Sequence, residues 1–345
     1  MFLIFLKSKN KQIYENTNLI NQLRLSMKVG IIGSGNICSS VHLPLLSCFS
    51  DVNLEFIADR KKPETLAKTY NTKSISLDKI SSLPYCDVIL IAIPVGARTE
   101  YLRKLSKLDC YIFSEKSFAI NLETHENLLT LSNKFTCNYV RNFYNTTRNI
   151  KNIISSGVFG KIQNISITEG GIYGRTGISK TSYRNDPELS GGFLNESACH
   201  TFSQLDFLFD NIDVSEANVL WEDTFDLEYN VVFNVHDNNS FKIDYTGTQI
   251  KRVKPNTTVF FEQTKIQFNH LLPDSIFTIS PLNSDEKFIF QQENFFASTF
   301  PQAYYLKWKD FLDKVSSSSN LDVKSETSLT TTKIISDIIQ KGTKK

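Results

Sequence analysis

The chain lacks the cysteine patterns and the long apolar runs that are typical of disulfide-rich, metal-binding, secreted or membrane-spanning proteins. Its six cysteines are scattered, without a CxxC pair or a recurring Cys/His spacing. The sequence therefore predicts neither a disulfide framework nor a metal site, and the cysteines are typical of reduced cytoplasmic thiols. The opening apolar run, MFLIFL, is six residues long and has no basic flank or cleavage site. It is too short for a membrane-spanning helix and does not have the pattern of a signal peptide.

A dominant charge is also missing. The chain has 38 basic and 36 acidic residues, which leaves a net charge of +2 without long runs of either sign. Nucleic acid and anionic membranes are therefore not expected partners. With 41% apolar and 21% charged residues, the chain is expected to fold around a sizeable core. Its 345 residues predict two domains.

Methionine is rare. Met27 is the second of only two methionines, and it stands directly before the first strongly apolar stretch. We expect translation to start at Met27. Residues 1–26 would then be an N-terminal extension that is either not native or a loosely ordered arm.

Short apolar runs alternate with helical patterns from Lys28 to about Tyr144, which is typical of βαβ units around a parallel sheet. Asn121 is predicted to cap one helix, and Gly157 to end the helix that leads into the second half. The predicted strands are KVGII (28–32), NLEFIA (53–58), KSIS (73–76), DVILIA (87–92), CYIFS (110–114) and NYVRNF (138–143).

After Gly160 the sequence becomes rich in β-strand patterns, interrupted by one helix that begins near Gly192. We expect one large, mainly antiparallel sheet, followed by helices that return to the core. The predicted boundaries place a first domain with the parallel sheet at 27–145, a second, β-rich domain at 146–315, and a C-terminal helix at 316–345.

The first strand leads into a glycine turn that is typical of dinucleotide binding. The first glycine of this pattern permits a tight turn, and the second lets the backbone approach a pyrophosphate at the start of a helix. Cys38 takes the third position, where Gly or Ala is usual. The predicted cofactor-binding residues of the turn are Gly33, Ser34, Gly35, Asn36 and Ile37.

Asp59 closes the second strand about 24 residues after Gly35, near the spacing of a ribose-binding carboxylate. Its charge favours NAD, because a carboxylate repels the 2′-phosphate of NADP. Arg60 beside it favours the phosphate instead, so both cofactors stay open, with NAD preferred.

Six segments in order resemble the Gfo/Idh/MocA family of dinucleotide-dependent oxidoreductases, which act mostly on sugars, inositols and nucleotide sugars. The resemblance implies a Rossmann domain with a doubly wound parallel sheet, then an α+β domain with a large open, mainly antiparallel sheet. It also implies a homodimer or homotetramer assembled through that second sheet. The segments are VGIIGSGNI, HLPLL, IAIPVGARTEYL, EKSFAIN, SGVFGKI and GGFLNESACHTFSQLDFLF.

By this resemblance, Ile93 and Pro94 correspond to the family's strand-four motif, and Glu115 and Lys116 to its EKP motif. All four are predicted to bind the cofactor. Lys116 follows a predicted strand, at the sheet edge where ligands of doubly wound folds bind. Its ammonium would stabilise the negative charge that develops on the reacting oxygen.

His200 matches the family's histidine, and Glu196 stands where the family usually has Asp. Four residues apart on a helix, the two side chains lie on one face, so the carboxylate is expected to reach either the imidazole, whose pKa it would raise, or a substrate hydroxyl that both groups share. Lys116, His200 and Glu196 are the predicted catalytic residues. From the spacing alone, the favoured interpretation is structural: Glu196 as a first-turn residue of a helix and His200 as a half-buried ring.

The chain departs from the family pattern at Ser117, Arg98, Asn142 and Ala198. Arginines near the site suggest a substrate with an anionic group. The glycine-rich stretch 170–186 suggests a substrate loop. The predicted substrate-binding residues are Arg98, Arg141, Tyr173, Arg175 and Tyr183.

Three functions agree with this pattern. The first is an NAD(P)-dependent oxidoreductase that transfers a hydride between nicotinamide and a secondary alcohol or ketone of a sugar, an inositol or a nucleotide sugar. The second is a dinucleotide-binding sensor or scaffold without turnover. The third uses NAD transiently for elimination or glycoside cleavage.

Overall fold

The structure is a computed structural model that describes residues 26–171, 182–237, 239–291 and 296–344. Nearly all of the predicted N-terminal extension lies outside these ranges. The chain divides into two compact units, one that ends at Ile89 and one that begins at Leu90. Among the described residues, no helix is both long and apolar enough to cross a membrane.

The parallel sheet predicted for the first half is present. Its strand order is β3-β2-β1-β4-β5-β6, and the β1–β2, β2–β3 and β5–β6 pairs are parallel. The apolar residues of β1 after Met27 and all those of β4 are buried, which explains why these strands are nearly continuous apolar runs in the sequence. The strands are β1 Met27–Ile32, β2 Val52–Asp59, β3 Lys73–Ser76, β4 Val88–Ile91, β5 Tyr111–Ser114 and β6 Phe135–Cys137.

The prediction of a strand at 138–143 was wrong. The strand β6 ends at Cys137, which is paired with Ser114, the last residue of β5. Because β5 offers no residue beyond Ser114 for pairing, the chain leaves the sheet and forms a 3₁₀ turn over Val140–Phe143. Arg141 lies in this turn and not on a strand.

Two predicted helix signals are confirmed. The side chain of Asn121 accepts a hydrogen bond from Thr124 N at 2.9 Å, and Gly157 ends its helix in the left-handed region at φ +64°. The α-helices are α1 Leu43–Leu46, α2 Glu64–Thr69, α3 Val95–Leu105, α4 Leu122–Leu129, α5 Asn145–Ser156, α6 Pro187–Ser190, α7 Cys199–Leu208, α8 Phe300–Ser316, α9 Val323–Glu326 and α10 Leu329–Lys341. The 3₁₀ and π-helical segments are Cys38–His42 (π), Leu77–Ser82 (3₁₀), Val140–Phe143 (3₁₀), Tyr183–Asn185 (3₁₀) and Leu194–Ala198 (π).

The large sheet of the second unit has the order β14-β13-β12-β11-β7-β10-β9-β8-β15. It is mainly antiparallel, as predicted, but β7 and β10 pair in parallel and so do β8 and β15. The strands are β7 Ile162–Gly170, β8 Ile212–Glu222, β9 Phe225–Val235, β10 Phe241–Thr248, β11 Asn256–Phe261, β12 Thr264–Phe268, β13 Phe277–Pro281, β14 Phe288–Phe290 and β15 Thr343–Lys344.

A buried carboxylate on β9 fixes the start of the segment that carries Glu196 and His200. Asp226 accepts hydrogen bonds from the backbone N–H groups of Phe193 and Leu194, each at 2.8 Å. Gly192, at φ +77°, precedes them, and a Cβ at this position would collide with the Asp226 carboxylate. The glycine is therefore required both by the backbone conformation and by the close approach of Asp226.

Burial raises the pKa of Asp226 to about 6, although hydrogen bonds from Leu194 and Phe193 act in the opposite direction. The folded chain therefore holds this proton more tightly than the unfolded chain, and the free energy of unfolding falls as pH rises through this range.

We expect the stability advantage of the wild type over Asp226→Asn to be smaller at pH 8 than at pH 5, by roughly 1 kcal/mol. Urea unfolding at the two pH values measures this difference. Asp244→Asn, an exposed change on β10, is the control, and its stability relative to the wild type should be the same at both pH values. A stability difference for Asp226→Asn that does not change with pH would contradict the raised pKa of Asp226.

Candidate active site

The glycine turn in the first unit has the predicted conformation. Gly33 has φ +100°, and its N–H donates to Ala58 O at 2.8 Å, which ties the turn to the end of β2. Ser34 donates twice to Asp59 Oδ2, from its backbone N–H at 2.8 Å and from its hydroxyl at 2.6 Å. Asp59 thus shapes the turn as well as closing the strand.

The backbone of the turn is open at Gly35. A Cβ added to Gly35 would meet no atom within 4 Å, so a ligand can approach the backbone there. Asn36 and Ile37 follow directly and open the helical segment. Cys38 is fully buried, and burial, helped by the charge of Asp59, raises the pKa of its thiol to about 12. It is therefore a packing residue without thiolate chemistry.

In the second unit, Lys116 follows β5 and its side chain is 15% exposed. The ammonium donates to Glu196 O at 2.7 Å and lies 3.3 Å from the Glu196 carboxylate. Burial alone would lower the pKa of Lys116, but the charge of Glu196 and smaller contributions from neighbouring groups raise it above its ordinary value. The side chain is a cation at neutral pH.

The residues around Lys116 bind the same segment. Ser117 stands in the place of the family's proline, and its hydroxyl donates to Asn195 O at 2.9 Å. Glu115 is buried and accepts from the Asn138 side chain at 2.7 Å. Lys116 and Ser117 therefore both bind main-chain carbonyl oxygens of the segment that precedes His200.

Glu196 lies in the π-helical turn Leu194–Ala198, and the contacts described for its carboxylate do not include the His200 imidazole. Its contacts are with Lys116, with Arg184 Nε at 3.3 Å and with the Tyr183 hydroxyl at 3.4 Å. Positions i and i+4 share a face in an α-helix, whereas a π-helical turn is wider and changes the relation between them. The sequence therefore did not predict the contacts that Glu196 makes with Lys116, Arg184 and Tyr183.

The expected rise in the pKa of His200 was wrong. Burial, and then the positive charges of Arg141 and Lys116, lower its pKa well below the ordinary value. The ring is therefore neutral at neutral pH. Its Nδ1 is buried and has no hydrogen-bond partner among the described residues. The imidazole packs edge to face against the Tyr139 ring, with the two ring centroids 6.5 Å apart.

Arg141 contacts Thr201, the residue that follows His200. Its Nη1 donates to Thr201 Oγ1 at 3.4 Å and lies 3.9 Å from the carboxylate of Glu169. Sequence reasoning missed Glu169. One signal was available: Ile165, Ile167 and Glu169 share the inward face of β7, where a charged residue is unusual.

Arg184, which contacts Glu196, was also missed. Tyr183 and Arg184 share a short 3₁₀ turn, so the predicted Tyr183 lies at the same carboxylate. Tyr173 and Arg175 lie outside the described residues.

Arg98 has partners other than the substrate anion predicted for it. It is 2% exposed and lies on α3, which begins after Pro94. Its guanidinium donates to the carbonyl oxygens of Glu115 and Ser117, and to that of Ile93 at 2.5 Å. Arg98 therefore ties the segment after β4 to the segment that carries Lys116.

We expect Arg98→Met to lower the free energy of unfolding by about 3 kcal/mol, because three buried carbonyl oxygens lose a charged donor. Urea unfolding measures this change. Arg103→Met, on the exposed side of the same helix, should change stability by less than about 0.5 kcal/mol. Wild-type stability of Arg98→Met with a raised KM would support substrate recognition instead.

Comparisons with known proteins identify the family and the fold of the chain. Residues 27–143 match the oxidoreductase family with an NAD-binding Rossmann fold, and residues 147–266 match the GFO/IDH/MocA C-terminal domain. No curated protein sequence matches the chain significantly.

Solved structures share the fold at low sequence identity. KijD10, a 3-ketoreductase from Actinomadura kijaniata in complex with NADP and TDP-benzene, is 15% identical with a TM-score of 0.77, over 92% of this chain and 98% of its own. An aldose-aldose oxidoreductase from Caulobacter crescentus, complexed with glycerol, is 12% identical with a TM-score of 0.75, over 92% and 97%. The putative oxidoreductase yvaA from Bacillus subtilis is 14% identical with a TM-score of 0.73, with the same coverage. The two family matches together span most of the chain, and the chain therefore belongs to the Gfo/Idh/MocA family of NAD(P)-dependent oxidoreductases.

Proposed function

We propose that this oxidoreductase interconverts a secondary alcohol and a ketone on a sugar, an inositol or a nucleotide sugar. The observation that carries the proposal is the Lys116 ammonium, held by Glu196 in the segment that also bears His200. A bound nicotinamide supplies or accepts the hydride. Gly33, Gly35 and Asp59 would hold the dinucleotide in the first unit, and Ile93, Pro94 and Glu115 are proposed to contribute in the second.

Lys116 acts on the reacting oxygen. In the reduction of a ketone, negative charge develops on that oxygen, and a fixed ammonium in a partly buried site stabilises it. In the oxidation of an alcohol, the same charge favours loss of the hydroxyl proton. Because its pKa is raised, the Lys116 side chain stays positively charged in both directions of the reaction.

His200 handles the proton. Nδ1 is buried, so we assign proton transfer to Nε2, the other ring nitrogen. A neutral imidazole is the form that accepts a proton, so the lowered pKa of His200 suits the oxidation of an alcohol at neutral pH. In the reverse direction the ring has to be protonated first.

The groups around this centre suit a polyhydroxylated or anionic substrate. Arg141, Tyr183 and Arg184 offer donors beside Glu196 and His200, and the carboxylate of Glu196 can accept from a sugar hydroxyl. KijD10 in complex with TDP-benzene and the aldose-aldose oxidoreductase support the same class. Tyr173 and Arg175 are proposed to contribute to substrate binding as well.

Two departures from the family pattern, Ser117 and Glu196, make contacts that support the proposal. Ser117 still binds the segment before His200, through its hydroxyl. Glu196, one methylene longer than Asp, still reaches Lys116. We therefore favour turnover over a sensor or scaffold role.

We expect Lys116→Ala and His200→Ala each to lower kcat by about a hundredfold or more, because each removes a group that acts on the reacting oxygen. The assay follows nicotinamide absorbance over a panel of sugars, keto-sugars, inositols and nucleotide sugars. The exposed changes Lys107→Ala and His236→Ala are the matched controls and should leave kcat unchanged. Wild-type rates in both active-site variants would discard the assignment.

Asp59 predicts a preference for NAD. Asp59→Asn is expected to raise the affinity for NADPH relative to NADH by about tenfold, because the charge that repels the 2′-phosphate is removed. Fluorescence titration with both reduced cofactors measures the ratio. The exposed Asp51→Asn change is the control, and an unchanged ratio in Asp59→Asn would assign cofactor choice to other residues, with Arg60 the first to test.

The proposed assembly is a homodimer or homotetramer through the large sheet, in line with the family resemblance.

A further inference from the structure

The second unit contains a buried carboxylate that the proposed hydride and proton transfers leave without a role. Glu169 lies near the end of β7 and is 2% exposed. Its Oε1 accepts from the Tyr245 hydroxyl at 2.7 Å, and its Oε2 accepts from the Thr201 hydroxyl at 2.8 Å and contacts His270 Nε2 at 3.2 Å. Charged side chains are rarely buried to this extent, because their removal from water costs free energy.

The partners of Glu169 keep it charged. Burial alone would raise the pKa of this carboxyl, but His270, Arg141 and Tyr245 hold it below its ordinary value. The carboxylate therefore carries a full negative charge beneath α7. The one cation of permanent charge beside it is Arg141, at 3.9 Å among the described residues.

Thr201 connects the two charged groups. Its hydroxyl donates to Glu169 and accepts from Arg141 Nη1 at 3.4 Å, so the hydroxyl lies in a chain from the carboxylate to the guanidinium. Thr201 is the neighbour of His200 in the sequence. The Glu169 carboxylate thus contacts both the Arg141 guanidinium and Thr201, the residue that follows the proposed proton acceptor His200.

We propose that Glu169 is a positioning residue, which holds Arg141 through Thr201 so that the guanidinium binds an oxygen of the substrate beside His200. This role rests on the proposed function, since it assigns Arg141 to the substrate. Arg141 is 15% exposed, which leaves part of the guanidinium open to a ligand while the rest is paired. A guanidinium suits this task because its planar donors can bind a carboxylate and a second oxygen at once.

A double-mutant cycle on kcat/KM tests the coupling. Glu169→Gln and Arg141→Met are each expected to lower kcat/KM by about tenfold, mainly through KM, and the double variant should be no worse than Arg141→Met alone. Thr201→Val should reproduce part of the loss. Thr246→Val, an exposed change on β10, is the control and should leave KM at the wild-type value. Additive losses in the cycle would overturn the proposal.

A second measurement does not depend on turnover, so it separates this proposal from the proposed function. Phenylglyoxal modifies accessible arginines, and peptide mass spectrometry reports the rate at each site. Glu169→Gln should speed the modification of Arg141 by about fivefold, because the guanidinium is released from its paired position. Arg184, which is half-exposed and bound to Glu196, is the internal control and should react at the same rate in both proteins. An unchanged rate at Arg141 would overturn the positioning role even if no substrate were turned over.

Discussion

The ammonium of Lys116 is bound by two oxygens of a single residue, the main-chain carbonyl and the carboxylate of Glu196. A lysine so far removed from water would lose its proton readily without such partners, and with them its pKa is raised. The contact also joins the end of β5 to the segment that bears His200. Both the charge and the place of Lys116 therefore depend on the backbone conformation near Glu196.

Two buried ionisable groups fix the two sides of that contact. On the Lys116 side, Arg98 donates to carbonyl oxygens before and after the lysine. On the Glu196 side, Asp226 accepts from the N–H groups of Phe193 and Leu194. Both bind main-chain groups, so they fix the path of the backbone and not only the rotamer of one side chain. Gly192 makes the second arrangement possible, because any side chain there would fill the space of the carboxylate.

Local patterns predicted what depends on local physics. The glycine turn, the Asn121 cap and the end of a helix at Gly157 follow from backbone conformation and nearby hydrogen bonds, and all three are present. Family resemblance placed Lys116 and Glu196 in one site, where the structure brings them together. The pKa of His200 could not be predicted in the same way, because it depends on burial and on cations from other elements. For the same reason the sequence predicted Arg98 to bind a substrate anion, whereas the structure shows it bound to carbonyl oxygens.

Glu169 and Asp226 have one property in common that explains how the large sheet serves the site. Each is a carboxylate on a buried strand position, Glu169 on β7 and Asp226 on β9, where an apolar residue would cost less free energy. Each accepts from the segment that carries the site: Asp226 from the N–H groups that begin it, and Glu169 from Thr201, directly after His200. The segment is therefore held on both sides of Glu196 and His200 by acceptors that belong to the sheet. A sheet that served only as a surface for assembly would have no need of these two charges in its interior.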